Sequence, residues 1–306
     1  MSEDFPYRLL RIRVVDTVRV STSFIRIRFA GAGLDDFATP GHIFDQRIKL
    51  IFPGPLGLPD LSNAGADWYA TWLELPEESR GSMRTYSIRA MEGEGDQTRL
   101  VIDFVLHMDE GATGPAASWA HRAKAGDEIL TLGPRRGNLG GGIEFAPDEA
   151  GQVLLVGDET ALPAIARILE DLPRSARGHV FIEVPHQDDT LPMEVPAAVT
   201  VHWSVREGAD HGTVIAPAVL SHLGQQADGT LVDVDSDELP WETPTYSASG
   251  EDVSVGTTLH HGLYAWIAGE SSLVTTLRRH LVKGFGFERS QVAFMGYWRK
   301  GVAMRG

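Results

Sequence analysis

The sharpest chemical cluster in the chain is the run Arg84-Thr85-Tyr86-Ser87. On a β-strand, alternation puts Arg84 and Tyr86 on one side. A guanidinium there can grip a phosphate, while the phenol lies against a flat ring system. Ser87 stands next door, able to donate a hydrogen bond to a ring nitrogen. Such a set suits a flavin nucleotide. Two later segments add to it. Asp103-Phe104-Val105-Leu106-His107 reads as a strand running into a turn, and Gly114 and Pro115 open a helix of small residues, Ala116, Ala117 and Ser118, followed by Trp119. Unpaired N–H groups at a helix start with no bulky side chains form a pyrophosphate site. The plainer alternatives are a strand with an exposed arginine and an ordinary helix with proline in its first turn.

The second half offers a different set. Gly157-Asp158-Glu159-Thr160 lies where an apolar strand meets a helix. In a parallel sheet that is the crevice at the carboxyl ends of the strands, where nucleotides bind. The chain has no G-x-G-x-x-G fingerprint at this point and no P-loop, which argues against an ordinary dinucleotide fold and a P-loop NTPase. Glu183, near the end of the next strand, suits a ribose hydroxyl, whereas Arg206, after the third, suits a 2′-phosphate. The two leave the choice between NADH and NADPH open. Gly269 permits close backbone approach, and Glu270 begins a helix, where an acid gains ~0.3–1 kcal/mol from the dipole. His260-His261 carries no metal expectation, because adjacent strand residues point apart and no second pair stands at ligand spacing. Core packing accounts for Trp298 but not for Arg299-Lys300.

These residues need elements to position them. The chain has 306 residues, enough for two domains. Forty-two acidic against 27 basic residues give a net charge of −15, with no Lys/Arg block, which argues against nucleic-acid or anionic-membrane binding. Cysteine is absent, so disulfides, thiol nucleophiles, Fe–S clusters and Cys-bound zinc are excluded. No apolar run reaches a membrane span of roughly 18–20 residues, and the start MSEDFPYRLL lacks the pattern of a signal peptide. A soluble cytoplasmic protein is expected. Period-two alternation at 25–29 and 47–52, with further runs at 84–90, 99–107 and 128–132, predicts a small antiparallel β-barrel over residues 1–148, interrupted by one helix near 115–124. After the Ala146-Pro147-Asp148 turn, strands and helices alternate. That predicts a parallel-sheet α/β nucleotide-binding domain over 149–306. Residues 224–256 hold eight acids and no Lys or Arg, and read as a solvated, partly disordered insertion.

Seven segments in order, RTYS, DFVLH, GPAASWA, GDEILTLGPRRG, GDETALPA, YAWIAGE and GYWRKG, resemble the siderophore-interacting protein family. The resemblance runs from about Tyr7 to Gly301, apart from the acidic insertion. It implies an FAD-dependent ferric-siderophore reductase related to ferredoxin-NADP reductases, serving iron acquisition. FAD would be held by Arg84, Thr85, Tyr86, Ser87, Asp103, Val105, His107, Gly114, Pro115, Ala116, Ala117, Ser118 and Trp119. The donor, NADPH or NADH, would meet Asp158, Glu159, Thr160, Gly269 and Glu270; reduced ferredoxin is the alternative donor. A hydride would pass to the flavin and electrons singly to Fe(III), and Fe(II), less tightly held by hard oxygen ligands, would leave the chelate. No side chain need act as acid, base or nucleophile, and none is nominated as catalytic. Lys49, Arg135 and Arg299 are expected to form a basic gate for an anionic ferric siderophore. A monomer is expected. A generic flavin oxidoreductase with another acceptor, and a siderophore-binding flavoprotein without catalysis, are the alternatives.

Overall fold

The computed structural model describes residues 5–39, 41–62, 64–107, 113–138, 141–148, 150–224, 230–231, 239–243, 246–247 and 262–302. Two compact units divide the chain between Ile143 and Glu144.

The first unit contains β1 (Tyr7–Arg19), β2 (Phe24–Ala30), β3 (Arg47–Phe52), α1 (Trp68–Glu74), α2 (Glu77–Arg80), β4 (Ser82–Ser87), β5 (Ala90–Glu92), β6 (Arg99–Val105), α3 (Pro115–Arg122) and β7 (Glu128–Pro134). The strands form one antiparallel sheet in the order β4-β3-β7-β1-β2-β6-β5. Alternation decides its faces. On β2, Ile27 and Phe29 are buried, while Arg26 and Arg28 turn outward to Asp103 and to Asp16 and Glu92. The sheet curls into a half-barrel. Tyr86 on β4 and Phe104 on β6 belong to strands far apart in the sheet order, yet their ring centroids are 4.7 Å apart. Phe29, Phe52 and Trp119 complete this aromatic core. The opposite face of β3, β4 and β7 buries Ile51, Met83 and Leu130 under Trp72, Leu61 and Ala64. Helices α1 and α2, too short to show a helical period, and the long strand β1 had no counterpart in the sequence reading.

The second unit contains β8 (Gln152–Gly157), α4 (Leu162–Asp171), β9 (Arg177–Val184), β10 (Ala198–Val205), α5 (Ile215–His222), β11 (Trp241–Thr243), β12 (Tyr246–Ser247), β13 (Leu263–Glu270), α6 (Ser271–Arg278) and β14 (Val292–Trp298). Its sheet order is β10-β9-β8-β13-β14-β11-β12, parallel from β10 to β14. The chain order reverses between β8 and β13, which creates the crevice that such sheets use for ligands. Among the described residues no helix is long and apolar enough to cross a membrane.

The acidic insertion departs from its expected character. Part of it joins the sheet: Trp241 and Glu242 pair antiparallel with Met295 and Phe294 of β14. Trp241 lies parallel to Tyr297 with centroids 6.3 Å apart, and Glu242 takes both bonds of a bidentate pair with Arg278 at 2.7 Å. Three residues are too few to show a period, so this edge strand was not legible beforehand.

Replacing Phe104 by Ala removes the ring on which the curl of the first unit closes. It is expected to cost about 3–5 kcal/mol in denaturant unfolding, with the loss confined to the first unit's transition.

Candidate functional site

In the first unit, β4 carries Arg84 and Tyr86 toward the inside of the curl. They lie opposite Leu50 and Ile48 of β3, and both of those are buried in the aromatic core. Thr85 and Ser87 take the other face, opposite Lys49 and Arg47. The Arg84 guanidinium donates to the Met83 carbonyl at 2.7 Å and has no carboxylate partner among the described residues. Burial holds its pKa below the ordinary arginine value. A half-buried cation without an acid is a site for an anionic ligand. Burial raises the Tyr86 hydroxyl well above the phenol range, so it remains a neutral donor.

Helix α3 starts at Gly114 with no side-chain cap. Its internal ladder begins with the Ser118 N–H bonded to the Gly114 carbonyl at 3.0 Å. Pro115 has no N–H, so Ala116 and Ala117 bring the two amides that precede the ladder. Among the described residues, a Cβ placed on Gly114 would meet nothing within 4 Å. These features fit a dinucleotide phosphate group: a guanidinium with no acid among the described residues, and two backbone donors beside a glycine that no described side chain crowds.

Other expected contacts have protein partners. The Asp103 carboxylate, almost fully buried, is held by both arms of Arg26 at 2.7 Å, with Arg89 at 3.7 Å. Its charge is neutralised within the sheet. The Trp119 ring stacks on Phe29 at 14° inside the core, so it supports α3 from beneath. Val105 ends β6, and His107 follows it, partly buried. Lys49 donates to the Thr85 hydroxyl at 2.7 Å; burial, with Arg47 beside it, lowers its pKa. Arg135 pairs with Asp36 at 2.9 Å, and Asp36 also takes Arg8. The expected free charge at Arg135 is therefore largely spent. Arg299 follows β14 in the second unit.

At the switch point of the second unit, Asp158 is fully buried and accepts four hydrogen bonds. Oδ1 takes the Thr160 amide (2.8 Å) and hydroxyl (2.5 Å). Oδ2 takes the Glu270 amide (2.7 Å) and the Trp298 indole N–H (2.9 Å). Because β13 lies between β8 and β14, the indole reaches across the end of β13. Gly269 makes this possible. Its φ is +137°, and a Cβ there would stand 2.6–2.9 Å from the Asp158 carboxylate. Glu270 caps α6, accepting from Ser272 at 2.6 Å and Leu273 at 3.3 Å, and also receives the Lys300 amide at 3.3 Å.

Glu159 turns inward. It binds Arg206 through both oxygens at 2.7 and 2.8 Å, with His211 at 3.3 Å. Glu183 accepts from the amides of Gly212 (2.7 Å) and Ile215 (3.1 Å), at the start of α5, and from Arg206 at 3.3 Å. The two residues expected to discriminate a ribose hydroxyl from a 2′-phosphate thus bind each other and the backbone. His211, edge-on to Trp298 with centroids 4.7 Å apart, and the Lys300–Asp210 pair at 2.6 Å had no signal in sequence spacing. His260-His261 lies outside the described residues.

The fold is that of a two-unit protein, a curled antiparallel sheet followed by a largely parallel sheet. The sequence model described as "Siderophore-interacting FAD-binding domain" matches residues 13–138, and the one described as "Siderophore-interacting protein" matches 150–301. The solved siderophore-interacting protein SipS of Aeromonas hydrophila is 30% identical, with TM-score 0.65, covering 98% of this chain and 94% of that one. The ferric vibriobactin reductase ViuB of Vibrio cholerae is 27% identical over 94% of this chain and 90% of its own length. The NADPH-dependent ferric-chelate reductase of Escherichia coli is 27% identical over 95% and 93%. The chain belongs to the siderophore-interacting protein family.

Two outcomes are expected. Gly269→Ala should cost about 1–3 kcal/mol from backbone strain alone and should also push Asp158 off the Trp298 indole, seen as a change in indole fluorescence. Burial, with the Glu159 charge, pushes the Asp158 carboxyl up to about 6 against its hydrogen bonds. A raised folded-state value means that this contribution to stability is full below the unfolded value near 3.9 and is lost as pH rises through about 6. Denaturant unfolding between those limits should show that slope in the wild type and not in Asp158→Asn.

Proposed function

We propose that this chain is a ferric-siderophore reductase that takes electrons from NADPH or NADH through FAD and releases Fe(II) from its chelate. The observation that carries the reading is the half-buried Arg84, without an acidic partner among the described residues, on the face it shares with Tyr86, in a unit matched by the family's FAD-binding domain. The names of two relatives, a ferric vibriobactin reductase and an NADPH-dependent ferric-chelate reductase, support the acceptor and the donor. When bound, FAD supplies the link between a two-electron hydride donor and a one-electron iron acceptor.

The residues of this chain bind and orient. Arg84 holds phosphate, the Ala116 and Ala117 amides hold pyrophosphate, and Tyr86 packs against the ring system. Thr85, Ser87, Val105 and His107 frame the same cofactor. In the second unit, Asp158, Thr160, Gly269 and Glu270 shape the nicotinamide crevice, and Glu159 supports it through Arg206. Lys49, Arg135 and Arg299 attract an anionic chelate against the overall charge of −15. Asp36 already neutralises part of the Arg135 charge.

Arg84→Ala should weaken FAD binding roughly 10- to 150-fold, the equivalent of about 1.5–3 kcal/mol; a wild-type protein that cannot be loaded with FAD would sink the proposal. Stopped-flow mixing of the loaded enzyme with NADPH, NADH and reduced ferredoxin, followed by ferric chelates, identifies donor and acceptor. Reduction of other acceptors with ferric chelates left untouched would select a generic flavin oxidoreductase. The triple variant Lys49→Ala, Arg135→Ala, Arg299→Ala should raise KM for an anionic ferric siderophore at low salt and leave flavin reduction by the donor intact.

A further inference from the structure

At the carboxyl ends of a doubly wound sheet, an acid suits the free 2′-hydroxyl of an NADH ribose and an arginine suits the 2′-phosphate of NADPH. Arg206 stands where it could meet that phosphate, directly after β10. Its charge is turned inward instead. It donates to both oxygens of Glu159, which follows β8, at 2.7 and 2.8 Å, and to Glu183 of β9 at 3.3 Å. Both carboxylates are fully buried and Arg206 nearly so. Glu183 is fixed in turn by the amides of Gly212 and Ile215. A guanidinium clamped in this way could turn to a ligand only by stranding two buried carboxylates, which is strongly unfavourable.

The next residue presents an acid outward. Glu207 is exposed, and the backbone sets its place. The Arg206 amide donates to the Val184 carbonyl at 2.9 Å and the Glu207 amide to the Pro185 carbonyl at 3.2 Å, so the chain follows the end of β9 for two residues past β10. Glu207 then takes φ +49° and Gly208 φ +95°, in a turn closed by the Ala209 amide on the Arg206 carbonyl at 3.0 Å. Among the described residues the Glu207 carboxylate has no ion-pair partner. Lys300 adds no net charge here, because Asp210 of the same loop binds it at 2.6 Å. Glu159, Glu183 and Glu207 thus set three carboxylates against the one guanidinium of Arg206.

We propose that this chain selects NADH over NADPH, with Arg206 locked between Glu159 and Glu183 and with Glu207 as the acid that faces the ribose. The inference rests on the nicotinamide donor proposed above for this crevice. A phosphate monoester carries about −1.5 to −2 charge at neutral pH. A 2′-phosphate would meet Glu207 while the Arg206 charge is already matched, and like charges brought together disfavour that partner. The ribose of NADH bears no charge at this position, and its hydroxyl can donate to the same carboxylate. Discrimination thus comes from a repulsive element as well as an attractive one.

The test uses the full-length chain loaded with FAD and mixed anaerobically with NADH or NADPH at low salt. The second-order rate constant for flavin reduction should be at least about tenfold higher with NADH, and added salt should narrow the gap. Glu207→Lys, at an exposed position, should raise the NADPH rate constant at least about tenfold. Calorimetric titration should show 2′,5′-ADP binding to that variant at least about tenfold more tightly than to the wild type. Glu194→Lys, the same charge change ahead of β10, should do neither. Reduction by NADPH at an equal or higher rate would overturn the preference and leave the nicotinamide donor standing. Reduction by neither nucleotide would remove that donor, and the preference with it. An unchanged affinity of Glu207→Lys for 2′,5′-ADP would overturn the role of Glu207.

Discussion

A single buried carboxylate organises the carboxyl ends of the second sheet. Asp158 gathers donors from its own turn, from β13 and from β14, and so draws three strand ends to one point. A carboxylate suits the position because each oxygen faces two donors and neither needs a proton from it. The adjacent Gly269 follows from this, since any side chain there would collide with the carboxylate. So does the setting of Trp298, whose indole finds its hydrogen-bond partner only by spanning the end of β13. The crevice owes its shape to the cost of leaving that carboxylate unpaired in the interior.

The first unit relies on a different constraint. Its edge strand β4 carries Arg84 and Tyr86, and an edge strand has backbone partners on one side only. Side-chain packing across the curl holds it instead. Tyr86, Phe104, Phe52, Phe29 and Trp119 meet at ring distances of 4.7–6.5 Å. The same cluster lies under α3 through Trp119, so one core sets both β4 and the start of the helix. Rigid support of this kind keeps a binding site in a productive geometry.

Charge pairing separates residues that bind from residues that hold. Asp103, Glu159, Glu183, Arg206 and Arg135 all have the chemistry of ligand contacts, and all are bound to other protein groups. Buried ions of this sort must be matched within the fold, because an unmatched one costs several kcal/mol. Arg84, by contrast, has no carboxylate partner among the described residues.

The sequence by itself determined the two-unit plan, because period-two alternation and strand–helix alternation are local properties. It also offered the Arg84–Ser87 and Gly114–Ser118 segments as candidate cofactor groups, because residue type and spacing within a few positions are local properties. Tertiary structure decided everything that depends on partners distant in the chain. Asp103 meets Arg26, Glu159 meets Arg206, and Trp298 meets Asp158 across separations of 77, 47 and 140 residues. Trp241 and Glu242, read as part of a solvated loop, joined β14 because a three-residue strand has no period to announce it and takes its order from the edge it covers. Which side chains remained open to a ligand was decided by those long-range pairings, since a charge is available only when the fold brings no opposite charge to it.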